Sequence, residues 1–343
     1  MILSLLLWTA VAIVATAILW KGSDWLEVSS EKLSVYYELP DIVQGAIVVA
    51  IGSSFPELAT VVLSTLLHGE FDLGVAAIVG SAIFNILVIP AVAGLISKEP
   101  LESNRDLVYK EAQFYIISVA VLIITFAFAA IFNPVSDGEG IILGEMDRFL
   151  ALMPLVLYLF YIFIQYQDTM DYKPEVEPEA IRPLKQWGIL AGSLLVILAG
   201  VEMLVQSAIQ FGEILGTPSF LWGISVVAAG TSIPDLFVSV KKAQKGNGIT
   251  SIANVLGSNI FDLLVCIPIG ILIAGATVIN FSVAAPLMGA LTFGTLMLFS
   301  FMRTNMILGR KESFILIIFY ILFLVWMGLE NFSVIDSIPS MPG

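Results

Sequence analysis

Cysteine, histidine and charged residues are all scarce in this chain of 343 residues. The single cysteine, Cys266, and the single histidine, His68, exclude a disulfide framework and a zinc site. Charged residues make up only 13% of the chain, whereas soluble domains carry about 25%. The sequence pI of about 4.4 leaves no basic patch, so we expect no nucleic acid partner. Cys266 lies inside an apolar run and is interpreted as a small core side chain.

Apolar residues are abundant instead, at 58% of the chain, with a mean hydropathy of +0.97. The apolar runs are roughly 20 residues long, enough to cross about 30 Å of hydrocarbon. The sequence therefore predicts an all-α polytopic membrane protein, because helices satisfy their own backbone groups in lipid. The ten predicted transmembrane helices are residues 2–30, 41–67, 72–97, 108–132, 149–166, 185–211, 218–243, 248–274, 282–302 and 312–330. We expect the first to be a retained helix rather than a cleaved signal peptide, since no charged segment precedes it.

Lysine and arginine are distributed unevenly over the predicted loops. Of the 15 Lys and Arg residues, all except Arg148 fall in odd-numbered loops. The positive-inside rule makes those loops cytoplasmic and places both termini outside a cell membrane. The acidic, proline-containing stretch 167–184 is predicted to be a cytoplasmic linker between residues 1–166 and residues 185–343.

The two parts of the chain resemble each other. A shift of 178 residues places residues 50–62 (AIGSSFPELATVV) on residues 228–240 (AAGTSIPDLFVSV). After a one-residue deletion, residues 79–87 (VGSAIFNIL) fall on residues 256–264 (LGSNIFDLL). Five spans are an odd number, so the second repeat must be inverted relative to the first. Two inverted five-helix repeats are an architecture of secondary transporters, with the substrate site near the midplane.

Four acidic residues lie well inside the predicted spans: Glu57, Glu202, Asp235 and Asp262. A charged carboxylate at bilayer depth costs about 2.5–3.5 kcal/mol and needs a cation or a proton. No lysine or arginine lies deep in a span, and His68 is at a helix end. An external cation is therefore the simplest neutraliser. Glu202 and its repeat counterpart Asp24 are expected to lie near helix ends, paired or hydrated, rather than in the ion site.

The motif G-[ST]-S-x-P-[ED] supplies only oxygen ligands. Its proline lacks an N–H and can release nearby backbone carbonyls from helical bonding. The predicted donors of the two copies are Ala50, Ser53, Ser54 and Glu57, and Ala228, Thr231, Ser232 and Asp235. Oxygen-only ligation suits the hard cations Ca²⁺ and Na⁺.

A second duplicated motif places Ser81 four residues before Asn85, and Ser258 four residues before Asp262. That spacing puts both side chains on one helix face, and the preceding glycines allow another helix to approach closely. Glu57, Asp235 and Asp262 supply up to three negative charges, because Asn85 replaces the fourth acid that symmetry would allow. One divalent ion or several monovalent ions could balance that charge.

These four motifs resemble the signature repeats of the Ca²⁺/cation antiporter superfamily, most closely the sodium/calcium exchangers and among them the potassium-dependent branch. The resemblance implies a monomeric transport unit, no cofactor and no enzyme activity. It also implies Ca²⁺ export driven by Na⁺, with the first and sixth helices sliding against the rest. Ala82 and Asp262 resemble the potassium-dependent branch, so co-transport of K⁺ is a hypothesis.

The resemblance also implies a ligand for each ion. Ca²⁺ would be bound by Glu57 and Asp235, with oxygens from Ser53 and Thr231. The ligands of Na⁺ would be Ser54, Ser81, Ser232, Ser258 and the carbonyls of Ala50 and Ala228. Asn85 and Asp262 would complete the central ring. Ser53 departs from the threonine that is commoner at that position, but it keeps the hydroxyl.

Three alternatives remain open on the sequence alone. Carboxylates can carry protons, so H⁺/Ca²⁺ exchange is one, although the motifs differ from those of the proton-coupled branch. Export of Mg²⁺ or another divalent ion is the second. An intramembrane aspartyl protease using Asp235 and Asp262 is the third, but it gives no reason for Glu57, the duplicated hydroxyls or the inverted repeat.

Overall fold

A computed structural model describes residues 1–37, 50–97, 100–136, 141–168, 182–331 and 334–335. Almost all of them are helical. The helices are α1 (Ile2–Tyr36), α2 (Ala50–Ser53), α3 (Phe55–His68), α4 (Phe71–Ile96), α5 (Ala112–Phe132), α6 (Arg148–Asp168), α7 (Pro183–Leu215), α8 (Ser219–Trp222), α9 (Ala228–Gln244), α10 (Gly248–Phe261), α11 (Ile267–Ala274), α12 (Phe281–Arg303) and α13 (Arg310–Asn331). Short π-helical turns occur at Asp106–Glu111, Gly223–Val227 and Asp262–Cys266.

The predicted spans are confirmed within these described ranges. Nine helical stretches are long and apolar enough to cross a membrane, and the second predicted span appears as the shorter apolar helix α3. The first part of that span, and most of the predicted linker 167–184, lie outside the described residues. The helices α1 and α7 are longer than predicted, at 35 and 33 residues. At about 1.5 Å per residue they extend roughly 50 Å and exceed the hydrocarbon thickness.

The two copies of the proline motif differ in backbone structure. In the first repeat the helix is interrupted at Ser54, and Pro56 stands in the first turn of α3. In the second repeat Pro234 lies inside the continuous helix α9, which the π-helical turn Gly223–Val227 precedes. Proline has no backbone N–H, so the carbonyl four residues before each proline loses its helical hydrogen-bond donor. These carbonyls belong to Gly52 and Gly230. The released carbonyls thus lie two residues beyond the predicted Ala50 and Ala228.

Helices α1 and α7 pack against each other through symmetry-related contacts. A side chain at Gly22 would meet Ile197 of α7, and one at Gly200 would meet Leu19 of α1. Adding 178 to Leu19 and Gly22 gives Ile197 and Gly200, so the repeat maps one contact onto the other. Buried residues of this helix pair form an apolar cluster together with Ala59 of α3 and with Leu73 and Ala77 of α4, whereas a larger cluster surrounds α4 and α10 to α13. The pair therefore packs through its own interface and also against α3 and α4.

Short strands, which the all-α prediction did not include, join the two repeats at their loops. Strand β1 (Leu101–Glu102) pairs antiparallel with β5 (Ile307–Leu308). Strands β2 (Pro134–Val135), β3 (Leu143–Met146) and β4 (Thr277–Asn280) form a three-stranded sheet. Both β1–β5 and β3–β4 connect the first repeat to the second.

Gly80 of the second motif lets α4 approach the π-helical turn Gly223–Val227 and the start of α9. A Cβ atom at Gly80 would collide with the carbonyl oxygen of Ile224 and would lie 2.8 Å from the Cβ of Ala228. Its repeat counterpart, Gly257, has nothing within 4 Å of such an atom. The predicted close approach is therefore confirmed in the first repeat and is wrong for the second.

Replacing Gly80 by alanine should destabilise the protein, because the added methyl group meets backbone that cannot rotate away. We expect a loss of about 1–3 kcal/mol, as for other overpacked sites. The matched control is Gly257→Ala, which adds the same methyl group at an open helical position. Thermal unfolding of the purified variants in detergent measures the difference, and equal melting temperatures would contradict the packing described.

Candidate cation site

The residues predicted from the four motifs come together where α3, α4, α9 and α10 cross. Glu57, Asp235 and Asp262 are at most 2% exposed. The hydroxyl side chains of Ser54, Ser81, Thr231, Ser232 and Ser258 and the amide of Asn85 are buried to the same degree. Residues that are up to about 200 positions apart in the sequence thus lie together in one compact polar centre. Ala50 begins α2 and Ala228 begins α9.

Hydroxyl groups link the carboxylates across the two repeats. The Oγ of Ser81 lies 3.3 Å from Oε1 of Glu57 and 2.8 Å from Oγ of Ser232. A serine hydroxyl has one proton, so Ser232 must donate to Ser81 if Ser81 donates to Glu57. Thr231 also lies beside the Glu57 carboxylate. The first repeat's acid is therefore surrounded by hydroxyls of both repeats.

The second half of the site repeats this arrangement in part. Ser258 lies beside the Asp235 carboxylate, as Ser81 lies beside Glu57. Ser54 approaches the Asp262 carboxylate and also lies 3.4 Å from the backbone oxygen of Ser258. The contact pairs Ser81–Glu57 and Ser258–Asp235 are related by the sequence repeat. This correspondence supports an inverted two-fold arrangement around the polar centre.

Several acceptor oxygens in the centre lack a donor. Oε2 of Glu57, Oδ2 of Asp262 and Oδ1 of Asn85 are buried and have no hydrogen-bond partner among the described residues. Leaving a buried polar atom unsatisfied costs about 1–3 kcal/mol, and more for a charged one. Unsatisfied carboxylate and amide oxygens such as these are the kind of ligands that a hard cation would satisfy.

The carboxylates do not form a metal cluster by themselves. In the described part of the chain, no three Asp, Glu, His or Cys side chains are placed to hold one ion. Hydroxyl, amide and carbonyl oxygens would have to complete any coordination shell. Such a mixed oxygen set fits Ca²⁺ and Na⁺ and does not favour softer metals.

Ser53 and Ala228 occupy the margin of this centre. Ser53 is half-buried and, together with Asp235, lines a small cavity between α1 and α9. The carbonyl of Ala228 accepts a hydrogen bond of 3.3 Å from the hydroxyl of Thr231. Both predicted donors therefore lie next to the acids, but Ser53 faces one side of the site rather than its middle.

Glu202 does not belong to the centre and has a partner within the protein. Its Oε1 lies 2.9 Å from Nε2 of His68 and accepts a 2.8 Å hydrogen bond from Gln206. Asp24 pairs with Lys21 at 2.9 Å. Both acids are therefore paired, as predicted. The expectation that they lie near helix ends is wrong, because Asp24 and Glu202 lie inside the long helices α1 and α7.

Sequence reasoning missed the residues that hold Asn85. The Nδ2 of Asn85 donates to Oδ1 of Asn259 at 2.9 Å. The Nδ2 of Asn259 lies 3.1 Å from the carbonyl oxygen of Ala82 and 3.2 Å from the hydroxyl of Tyr115. This fixes the orientation of Asn85, with its oxygen left unpaired. Asn259 was visible in the motif, but its partner Tyr115 on α5 carried no sequence signal.

Cys266 also contacts the site, which the interpretation as a plain core residue did not include. Its thiol lies 3.8 Å from Oδ1 of Asp262, one turn earlier in the chain. The π-helical turn Asp262–Cys266 begins at this acid. The weak S–H donor satisfies one carboxylate oxygen and leaves the other without a donor.

Comparison with known proteins gives a consistent result. The family described as "Sodium/calcium exchanger protein" matches residues 7–167 and 185–329. The "Sodium/calcium exchanger MaX1" of Methanosarcina acetivorans is 27% identical over 335 residues, covering 89% of this chain and 94% of that protein. The human "Sodium/potassium/calcium exchanger 4" is 36% identical over 171 residues, covering 50% of this chain and 24% of that protein.

A solved structure has the same fold. The sodium-calcium exchanger NCX_Mj superposes with a TM-score of 0.63 at 22% identity, covering 94% of this chain and 99% of that one. This chain therefore has the fold of that exchanger. In the described residues, the nine long apolar helices and the shorter α3 agree with the predicted ten helices in two inverted five-helix repeats.

Replacing Asn259 by alanine should destabilise the protein, because it leaves the groups of Asn85, Ala82 and Tyr115 short of partners. We expect a loss of about 1–3 kcal/mol, the cost of unsatisfied buried polar groups. The control is Asn254→Ala on the same helix, where the lost partner is the more exposed Lys242. Thermal unfolding in detergent compares them; an Asn259→Ala loss no larger than that of Asn254→Ala would contradict the positioning role.

Proposed function

The chain belongs to the sodium/calcium exchanger family, and on this basis we propose that it is a secondary active antiporter that exports Ca²⁺ in exchange for Na⁺. Members of the family are transporters and not enzymes, so the hypothesis of an aspartyl protease using Asp235 and Asp262 is wrong. The relatives named above as sodium/calcium exchangers support the same pair of ions.

The observation that carries the proposal is the group of unpaired buried oxygens on Glu57, Asp262 and Asn85. They lie beside Asp235 and a set of hydroxyls, with no salt bridge to any of the three acids among the described residues. Carboxylates placed in this way must be neutralised, by entering cations or by protons. A site that accepts one divalent or several monovalent ions, and is costly to leave empty, suits an obligatory exchange.

We assign the ions to ligands as follows. Ca²⁺ is held by Glu57 and Asp235 with oxygens from Ser53 and Thr231. The proposed Na⁺ ligands are Ser54, Ser81, Ser232, Ser258 and the carbonyls near Ala50 and Ala228. Asn85 and Asp262 face the shared centre, and the links from Ser81 to Glu57 and Ser232 support a site in which Na⁺ and Ca²⁺ compete.

Alternating access in this proposal uses the α1 and α7 pair. The buried cluster around this pair contains many small or aliphatic side chains, such as Ala12, Ala15, Val201 and Ala208, and also includes residues of α3 and α4. Such surfaces can slide with little change in buried area. We further propose that the loops rich in Lys and Arg are cytoplasmic, that both termini lie outside the cell membrane, and that one chain is the transport unit.

Removing the charge of Glu57 should abolish exchange. In Glu57→Gln the shape is kept, but a divalent ion loses one of its carboxylate ligands, so we expect Na⁺-driven Ca²⁺ uptake to fall at least about tenfold. Uptake of radioactive Ca²⁺ into proteoliposomes, with any pH gradient collapsed, measures this. Glu213→Gln, an exposed acid on α7, is the control and should retain uptake. Uptake by Glu57→Gln at the wild-type rate would contradict the assignment, and wild-type uptake driven by pH alone would favour H⁺ exchange.

Potassium coupling is a separate proposal that depends on Asp262. If K⁺ is co-transported, Na⁺-driven Ca²⁺ uptake should require K⁺ on the Ca²⁺ side. Asp262→Asn, which matches Asn85 of the first repeat, should then remove that requirement because one negative charge is lost. Uptake measured with K⁺ or with an impermeant organic cation decides the point. Equal wild-type rates in the two media would contradict K⁺ coupling while leaving Na⁺/Ca²⁺ exchange intact.

A further inference from the structure

A small cavity adjoins the proposed ion site on the side facing α1. It lies between α1 and α9 and has a volume of about 20 Å³. Its polar lining consists of Ser53, of Ser23, Asp24 and Glu27 of α1, and of Asp235 and Lys241 of α9. A cavity of about 10–15 Å³ accommodates one water molecule. This one therefore has room for a water molecule or a single dehydrated cation.

The hydroxyl of Ser23 is unusual for this helix. It is 5% exposed and has no hydrogen-bond partner among the described residues. Other serines of α1 bond to the preceding turn, such as Ser29 to the carbonyl of Trp25 at 2.7 Å and Ser34 to that of Glu31 at 2.8 Å. Ser23 is thus a buried oxygen that lines the cavity and is not engaged by the backbone.

Glu27 lies one helical turn after Ser23, on the same face of α1. It interacts electrostatically with Asp235 and with Lys242 and Lys241 of α9, and Lys241 also lines the cavity. Lys242 is held by a 3.0 Å hydrogen bond to Asn254, and the neighbouring Asp24 is already paired with Lys21. Glu27 is therefore the carboxylate of α1 that remains available on this side of Asp235.

An aromatic pair lies at the same junction. Trp20 of α1 stacks on Phe237 of α9 with ring centroids 4.5 Å apart, and both rings line the cavity. A displacement of α1 relative to α9 would separate these rings and widen the cavity. The polar groups at the cavity and the aromatic cover thus lie on the two helices that would have to move apart.

We propose that Glu27 and Ser23 form a relay position through which a cation passes between Asp235 and the cytoplasmic face. The proposal rests on the exchange activity proposed above. Lys242 and Lys241 compensate the charge of Glu27 when no cation is present, and the entering cation takes over that role. Asp24 also lines the cavity but is paired with Lys21, and among the described residues no three acidic, histidine or cysteine side chains are placed to hold one ion, so the position is suited to brief occupancy.

The test compares the two faces of the membrane. Right-side-out and inverted vesicles containing Glu27→Gln are assayed for Na⁺-driven Ca²⁺ flux, with Ca²⁺ varied on the outer or the cytoplasmic face. We expect the half-saturating Ca²⁺ concentration at the cytoplasmic face to rise about fivefold, as for loss of one partly solvated charge contact. The value at the outer face should stay unchanged. Ser23→Ala should shift it in the same direction by less.

Glu31→Gln is the matched control, because Glu31 is an exposed acid one turn further along α1. It removes the same charge without touching the cavity and should leave both faces unchanged. Equal shifts at both faces, no shift, or an identical effect of Glu31→Gln would overturn the relay. Absence of Na⁺-driven flux in the wild-type protein would instead overturn the exchange activity, and the relay with it.

Discussion

The cost of burying carboxylates in a bilayer governs the centre of this protein. Glu57, Asp235 and Asp262 are almost fully removed from solvent, and the hydrogen bonds that reach them come from hydroxyl and thiol groups rather than from cationic side chains. Neutral donors can orient a carboxylate, but they cannot cancel its charge. The fold therefore surrounds the acids with further oxygen atoms, which makes the centre complementary to ions that must come from outside.

The inverted repeat explains the paired contacts of this centre. Two departures from the repeat explain why one side of the centre is neutral and the other is charged. Symmetry supplies the paired contacts of Ser81 with Glu57 and of Ser258 with Asp235. Two substitutions then break the symmetry: Asn85 stands opposite Asp262, and Asn259 stands opposite Ala82. Asn259 uses its amide to hold Asn85 and so introduces a rigid, neutral side opposite a charged one. The close approach of α4 at Gly80, absent at Gly257, follows the same asymmetry.

Much of this arrangement is readable from the sequence because membrane helices leave strong local signals. Hydropathy marked the spans, and the repeated glycine, serine, proline and acidic residues identified the site residues that the fold brings together. The rest depends on contacts between distant segments. Nothing local to His68 indicates that it meets Glu202, 134 residues away, and nothing near Tyr115 indicates its bond to Asn259. The helix is also interrupted at Ser54 but continuous through its counterpart Ser232, although the two motifs are alike.

The short strands at the loops have a mechanical consequence. The pair β1–β5 and the pair β3–β4 are related by the repeat and fall in loops on opposite sides of the bilayer. Each joins one repeat to the other by backbone hydrogen bonds, so shearing the helices that they connect would break ladder bonds at both surfaces. Among the described residues, neither sheet includes a strand adjacent in sequence to α1 or α7. In the described part of the chain, the strand ladders therefore join other helices of the two repeats at both surfaces and leave α1 and α7 outside these backbone connections.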